Sequence, residues 1–191
     1  MNRIQDDVFE LTRKLIGAIN IYRILLYTLI SAAMLVLVLG IFGLLTLPMA
    51  ILSFAISFIY SFLRDMTISK YSAKQMDKYY AYANEKFKQL ELYIPLLEKT
   101  FQGYFLKRAA LVIDNGALYL EAFRQKKNQK QQQISISVPY GKAFIIDYEN
   151  TDKNMKSITM DSTFSGQYYR FSIVNHEDVL KYINQAKKGG K

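Results

Sequence analysis

At 191 residues and a formal net charge of +9, the chain has room for one membrane unit and one small soluble domain, since compact domains need on the order of 100 residues. It contains no cysteine, which excludes disulfides, thiolate metal sites and a cysteine nucleophile. The hydrophobic fraction of 51% and mean hydropathy of +0.01 describe neither part, because a charge-free apolar stretch is averaged with a polar remainder. Charge is uneven along the chain: net +1 over 1–23, +2 over 64–101 and +6 over 102–191. A basic balance suits anionic headgroups, nucleic acid or acidic proteins, and membrane attachment favours the first and third, so no nucleic-acid partner is expected. There is no N-x-Ser/Thr sequon and no secretory signal pattern, and Asp6, Asp7 and Glu10 break any presequence character in the first 23 residues.

Residues 2–20 place Ile4, Val8, Leu11, Leu15 and Ile19 at steps of four, three, four and four, one apolar stripe on a helix. The spacing predicts an amphipathic juxtamembrane helix over 1–23, lying at the interface or against a neighbour. From 24 to 63 no side chain is charged, and a run of this length broken near its middle reads as two transmembrane helices, over 24–42 and 47–63. Gly43 suits the first helix C-terminus, Thr46 the next N-cap and Pro48 its first turn, which puts the hairpin turn at 44–46. Basic residues flank the outer ends of both spans and the turn has none. Both termini are therefore expected on the cytoplasmic or matrix side, with Arg23, Arg64, Tyr22 and Tyr60 as interface anchors. Gly40 and Gly43 are only three apart, so their role is turn chemistry rather than a GxxxG face. Without ionisable groups in the spans, a channel or transporter is not expected.

Over 64–102 the pattern is that of an amphipathic helical linker. Met76, Tyr80, Ala83, Phe87, Leu90, Ile94, Leu97 and Phe101 alternate steps of four and three, a heptad seam with an expected kink at Pro95. Tyr80, Phe87, Leu90, Ile94 and Leu97 are its candidate helix interface, packing either on the chain's own C-terminal domain or on another protein.

The domain over 103–191 is strand-patterned. Runs at 110–114 and 117–123 flank Asn115-Gly116, a hairpin signal because a type I′ turn needs positive φ at both central positions. A polar basic loop over 125–133 follows, then strands near 134–138, 143–148, 157–161 and 167–174 and a closing helix with Asn175 as its expected N-cap. Six or seven strands make a bent antiparallel sheet or partly open barrel. The lone His176 reads as a surface residue, since a triad or zinc site needs partners that this chain does not supply. Asp147, Glu149 and Asp152 lack the glycine and terminal glutamate of a calcium loop, and no phosphate-loop or GxSxG pattern occurs. No catalytic residue, cofactor or metal is expected, and the chain is read as a non-enzyme. Lys126, Lys127 and Lys130 form the best-defined basic cluster, a candidate contact for lipid headgroups or a partner.

The segments ALVIDNGALYLEAF, ISISVPYGKAFIIDY, GQYYRFSIV and EDVLKYI follow one another in an order that resembles small bacterial pleckstrin-homology-like domains carried on two-span membrane anchors. That resemblance implies a binding module without catalysis or a dependable phosphoinositide site. The layout of 157–183 beside a short hairpin is also similar to mitochondrial two-span assembly factors, and the 40-residue hairpin alone to secreted bacterial inclusion-membrane proteins. The fold expected is a membrane α-hairpin plus a soluble α+β domain. The function expected is a non-catalytic integral membrane protein presenting a β-rich module to a protein or anionic-lipid partner, in a bacterial cytoplasmic or an organellar inner membrane. The alternative is an accessory subunit or assembly factor of a larger membrane complex. Homo-oligomerisation stays open. Burial of the heptad seam on the chain's own sheet favours the first, and its exposure the second.

Overall fold

The structure is a computed structural model describing residues 3–100, 102–125, 133–141, 144–148, 157–164 and 167–189. Three helices come first: α1 (Arg3–Gly17), α2 (Ile21–Ile41) and α3 (Leu47–Lys86). Seven strands follow, β1 (Leu90–Thr100), β2 (Gly103–Asp114), β3 (Ala117–Gln125), β4 (Gln133–Pro139), β5 (Phe144–Tyr148), β6 (Ser157–Phe164) and β7 (Gln167–Val174), and α4 (Glu177–Gly189) ends the chain.

The apolar stretch forms a helical hairpin because both of its ends carry the right backbone signals. Asn20 is extended and its side chain accepts a hydrogen bond from the Arg23 N–H, capping α2. At the other end Gly43 has φ +67°, and the Leu44 N–H donates to the Leu39 carbonyl while that of Gly43 donates to Gly40. This is a Schellman ending, which uses glycine because a left-handed φ crowds any Cβ. Thr46 then takes the N-cap position of α3 and Pro48 its first turn, as expected, but the Thr46 side chain makes no capping hydrogen bond. Two helices here are long and apolar enough to cross a membrane, and most of their large side chains, among them Leu37, Ile41, Leu47 and Ile59, are exposed.

Beyond the apolar stretch α3 does not stop. It runs 40 residues to Lys86, roughly 60 Å at 1.5 Å per residue. Along its last half Met76, Tyr79 and Ala83 turn into the core. α1 runs back along this half, with Val8, Phe9, Leu15 and Ile16 buried in the same core, so the first helix packs against its own domain. Phe9 meets Tyr80 edge-on at 4.9 Å between ring centroids, and Tyr80 meets Tyr93 at 5.6 Å.

The linker expected as helix over 64–102 is corrected past Lys86: residues 90–100 are strand β1, so Leu90, Ile94 and Leu97 are strand positions. Leu92 to Leu97 are all buried, and a strand covered on both faces is apolar at every position, which satisfies a helical template as well as an extended one. Pro95 lies where the β1–β2 register shifts, an irregularity that tolerates its missing donor, and no helix is kinked by it.

The sheet is antiparallel and open, in the order β4-β3-β2-β1-β7-β6-β5. The expected Asn115-Gly116 turn joins β2 to β3, with φ of +49° and +70°. Cross-strand register sets the two faces of its first half. Tyr93, Val112, Tyr119, Glu121 and Phe123 share the face under α3, where Tyr79 stacks on Phe123 at 4.4 Å. Leu111, Ile113, Leu118 and Val138 share the opposite face, on the side of α4, whose Val179 and Ile183 are buried. β1 is registered with β7 only at Leu97 and Ser172, so the sheet divides there into a four-stranded and a three-stranded half.

Candidate functional site

The residues that join the hairpin to the sheet include a buried ion pair between helices far apart in sequence. Arg23, at the start of α2, is paired with Asp65 of α3, and their side chains are only 3% and 5% exposed. Arg23 Nε and Asp65 Oδ1 face each other in this ion pair and have no further hydrogen-bond partner among the described residues. The guanidinium also lies 5.3 Å from the centre of the Phe105 ring on β2. Beside it the β1–β2 turn meets the α1–α2 elbow: a Cβ on Gly103, whose φ is +109°, would come within 3.2 Å of Asn20 Nδ2. Two helices and the end of the sheet thus converge on one ion pair.

Above this pair, toward the hairpin turn, Ser61, Ser57 and Ser53 follow Asp65 at steps of four on α3 and are buried, as are Ile24, Thr28 and Ala32 on α2. Small side chains let the two helix backbones approach closely. Thr28 and Ser53 return their hydroxyls to carbonyls four residues back, at 2.8 Å each.

A second buried carboxylate lies at the far end of α3. Glu121 is fully buried on β3, and Lys86 reaches down to its Oε1 at 2.8 Å with 31% of its side chain still exposed. Ser137 of β4 closes a ring, donating to Glu121 Oε2 and accepting from Lys86 Nζ. The serine proton and lone pair are both engaged inside that ring, which gives it the character of a lock between helix and sheet. A third contact ties α1 to β1: Gln5 Nε2 donates to the Tyr93 carbonyl at 2.9 Å, and the Tyr93 N–H donates to Gln5 Oε1 at 2.7 Å. A side-chain amide here completes the backbone pairing of a strand whose registry with β7 is confined to Leu97. Burial pushes the Tyr93 phenol up from its ordinary value, helped by the nearby Tyr79 and Glu121.

The sequence candidates fare differently. Lys126, Lys127 and Lys130 lie outside the described residues. Tyr80, Phe87 and Leu90 pack against the core, and Ile94 and Leu97 are fully buried within it, so this set is an internal surface. Arg64 is exposed, its guanidinium 4.3 Å above the Tyr27 ring, and Tyr22 and Tyr60 are exposed as well. Arg23 is the exception among the anchors, being buried in the ion pair. His176 is half-buried rather than at the open surface, with Nε2 4.0 Å from Asp7 of α1. Sequence reasoning missed Gln5, Asp65, Lys86, Glu121 and Ser137. For Asp65 a signal existed: it continues the serine spacing of α3 and is the first acid after the apolar run.

No group of residues that would hold a metal occurs among the described residues. No family model, curated protein or solved structure matches the chain.

Proposed function

We propose that the chain is a non-catalytic integral membrane protein whose hairpin crosses the bilayer with both termini on the cytoplasmic or matrix side, and which holds its β-rich domain at that face to bind a protein or anionic-lipid partner. The observation that carries this is the continuity of α3. Its first half exposes an apolar surface that only lipid or another apolar surface would cover, and its second half is part of the soluble core. The candidate span and the domain share one unbroken helix. The strand order β4-β3-β2-β1-β7-β6-β5, closed by a C-terminal helix, supports the likeness to pleckstrin-homology-like binding modules. Gln125 and Gln133, the paired strand ends that bracket the basic segment, lie on the end of the sheet that faces the hairpin base, since β3 runs parallel to β1 and antiparallel to β2. That placement favours a partner at the membrane surface. Burial of Tyr80, Phe87, Leu90, Ile94 and Leu97 on the chain's own sheet favours a self-sufficient module over an obligate subunit.

The chain's lack of cysteine makes the topology directly measurable. With Leu45→Cys and Lys188→Cys variants in intact cells, a membrane-impermeant maleimide labels the first from outside and the second only after permeabilisation. Labelling of both from one side refutes the hairpin. On a native gel in mild detergent the module runs alone or as a small homo-oligomer; migration in one large defined assembly overturns it in favour of an accessory subunit or assembly factor.

A further inference from the structure

The charges of α3 beyond its apolar half differ in their partners, although Asp77, seven residues after Lys70, lies on the same flank as Lys70 and Lys74. Its two acids up to Lys78 are both taken up by arginines of the other helices: Asp65 by buried Arg23, and Asp77 by Arg13 of α1 at 2.6 Å. Its four cations over the same stretch, Arg64, Lys70, Lys74 and Lys78, are exposed, and none forms a salt bridge among the described residues. Ile56, Tyr60, Leu63, Lys70 and Lys74 follow at steps of four, three, seven and four, so the cations extend the exposed apolar stripe of the same helix down one flank. This flank is not the one that carries Met76, Tyr79 and Ala83 into the core.

Height along the helix decides which anionic surface the strip meets. At 1.5 Å per residue, Lys70 lies about 10 Å beyond Leu63, Lys74 about 16 Å and Lys78 about 22 Å, while Arg64 is level with Leu63. The headgroup layer adds about 5–7 Å to the hydrocarbon on each side. Arg64, held over the Tyr27 ring, and Lys70 therefore reach the phosphates, while the backbone of Lys74 lies about 9–11 Å past the headgroup layer, a gap that its long side chain narrows to within one Debye length, roughly 8 Å. Lys78 lies beyond it.

We propose that Arg64, Lys70 and Lys74 form a docking strip for the phosphodiester headgroups of anionic phospholipids, so that anionic lipid gathers on the flank of α3 away from its core-packed face. The inference rests on the reading of the hairpin as membrane-spanning. It names a lipid class and a site separate from the basic segment of the sheet.

The test uses the full chain in vesicles of equal parts phosphatidylglycerol and phosphatidylcholine. After flotation through an alkaline wash the protein is extracted in mild detergent and its retained lipids are counted by native mass spectrometry. Phosphatidylglycerol is expected in excess, and Arg64→Gln, Lys70→Gln and Lys74→Gln each lower the preference about five-fold. The arginine-to-lysine and lysine-to-arginine exchanges keep it, and so does Lys78→Gln, which separates this strip from a general charge effect. Retention of the two lipids in the proportion supplied, or a preference unchanged in the triple glutamine variant, overturns the proposal. A wild type without lipid preference that binds a polyglutamate peptide overturns it in favour of an acidic protein partner. Failure to float refutes the membrane-spanning reading and takes the strip with it, so the two failures are told apart at the first step.

Discussion

Asp65→Ala is the sharpest perturbation of the junction. It removes the one carboxylate facing Arg23, whose side chain is 3% exposed and has no further hydrogen-bond partner for Nε among the described residues. Removing one member of a buried ion pair costs about 3–5 kcal/mol, because the remaining charge stays out of water. For a chain of this size each kcal/mol moves the melting temperature by about 2–4 °C, so a drop of about 6–20 °C is expected in detergent by circular dichroism or scanning calorimetry. The companion variant replaces both partners, Arg23→Met with Asp65→Leu. Exchange of a buried pair for apolar side chains of similar volume is often neutral or stabilising, so this variant should recover most of the loss. If Asp65→Ala melts with the wild type, Arg23 is not stranded and the burial argument fails. If the double variant is as unstable as the single, the pair supplies more than mutual neutralisation.

Three further outcomes test the other contacts. Gln5→Ala leaves the buried N–H and C=O of Tyr93 without their partners, at about 1–3 kcal/mol each, and hydrogen exchange should show early loss of protection at the Tyr93 amide while β3 amides stay protected. Lys86→Met strands the fully buried Glu121 carboxylate and should cost about 3–5 kcal/mol, whereas Ser137→Ala removes one member of the ring and should cost about 1–2 kcal/mol; chemical denaturation that ranks them the other way refutes the lock. The Tyr93 phenol is raised by burial, so above the ordinary tyrosine value near pH 10 the unfolded chain loses a proton that the folded chain keeps. Stability is then full below about pH 10 and falls above it by up to about 1.4 kcal/mol per pH unit; Tyr93→Phe should remove that part of the slope in alkaline melts.

The hairpin was legible because nothing but a charge-free run is needed to specify it, and Gly43, Thr46 and Pro48 act locally through backbone conformation. The Asn115-Gly116 turn was legible for the same reason. β1 was misread because burial on both faces erases the period-two pattern that marks a strand, and only Pro95 argued against helix there. The ion pairs were illegible in pairing rather than in identity. Arg23 and Asp65, or Lys86 and Glu121, become neighbours through the helix register and sheet topology, which no local pattern encodes. Gln5 carries no signal at all, since an amide on an amphipathic helix reads as a solvated face.

The unbroken α3 makes the chain sensitive to register in a way that a tether would not be. Between Asp65 and Met76 the contacts are few, Ala73 against the core and Ser69 Oγ donating to the Ile16 carbonyl of α1 at 3.1 Å, so a flexible linker would lose little if the domain needed only to stay near the apolar helices. An α-helix instead turns 100° per residue. Deleting Thr67 would hold Arg23 against Asp65 and swing Met76, Tyr79 and Ala83 a quarter-turn or more out of the core, or keep the core and break the ion pair. Burial of each large apolar side chain is worth about 1.5–3 kcal/mol, so either choice costs on the order of 5 kcal/mol. Inserting seven residues restores the phase to within about 20° but lengthens the helix by about 10 Å, which parts Gly103 from Asn20. Both variants should melt below the wild type, with the seven-residue insertion nearer to it because the core side chains face inward again. A deletion variant that keeps the wild-type melt would mean that the domain is tethered rather than held. In that case the distance of Lys70, Lys74 and the sheet from the apolar half of α3 would have no fixed value.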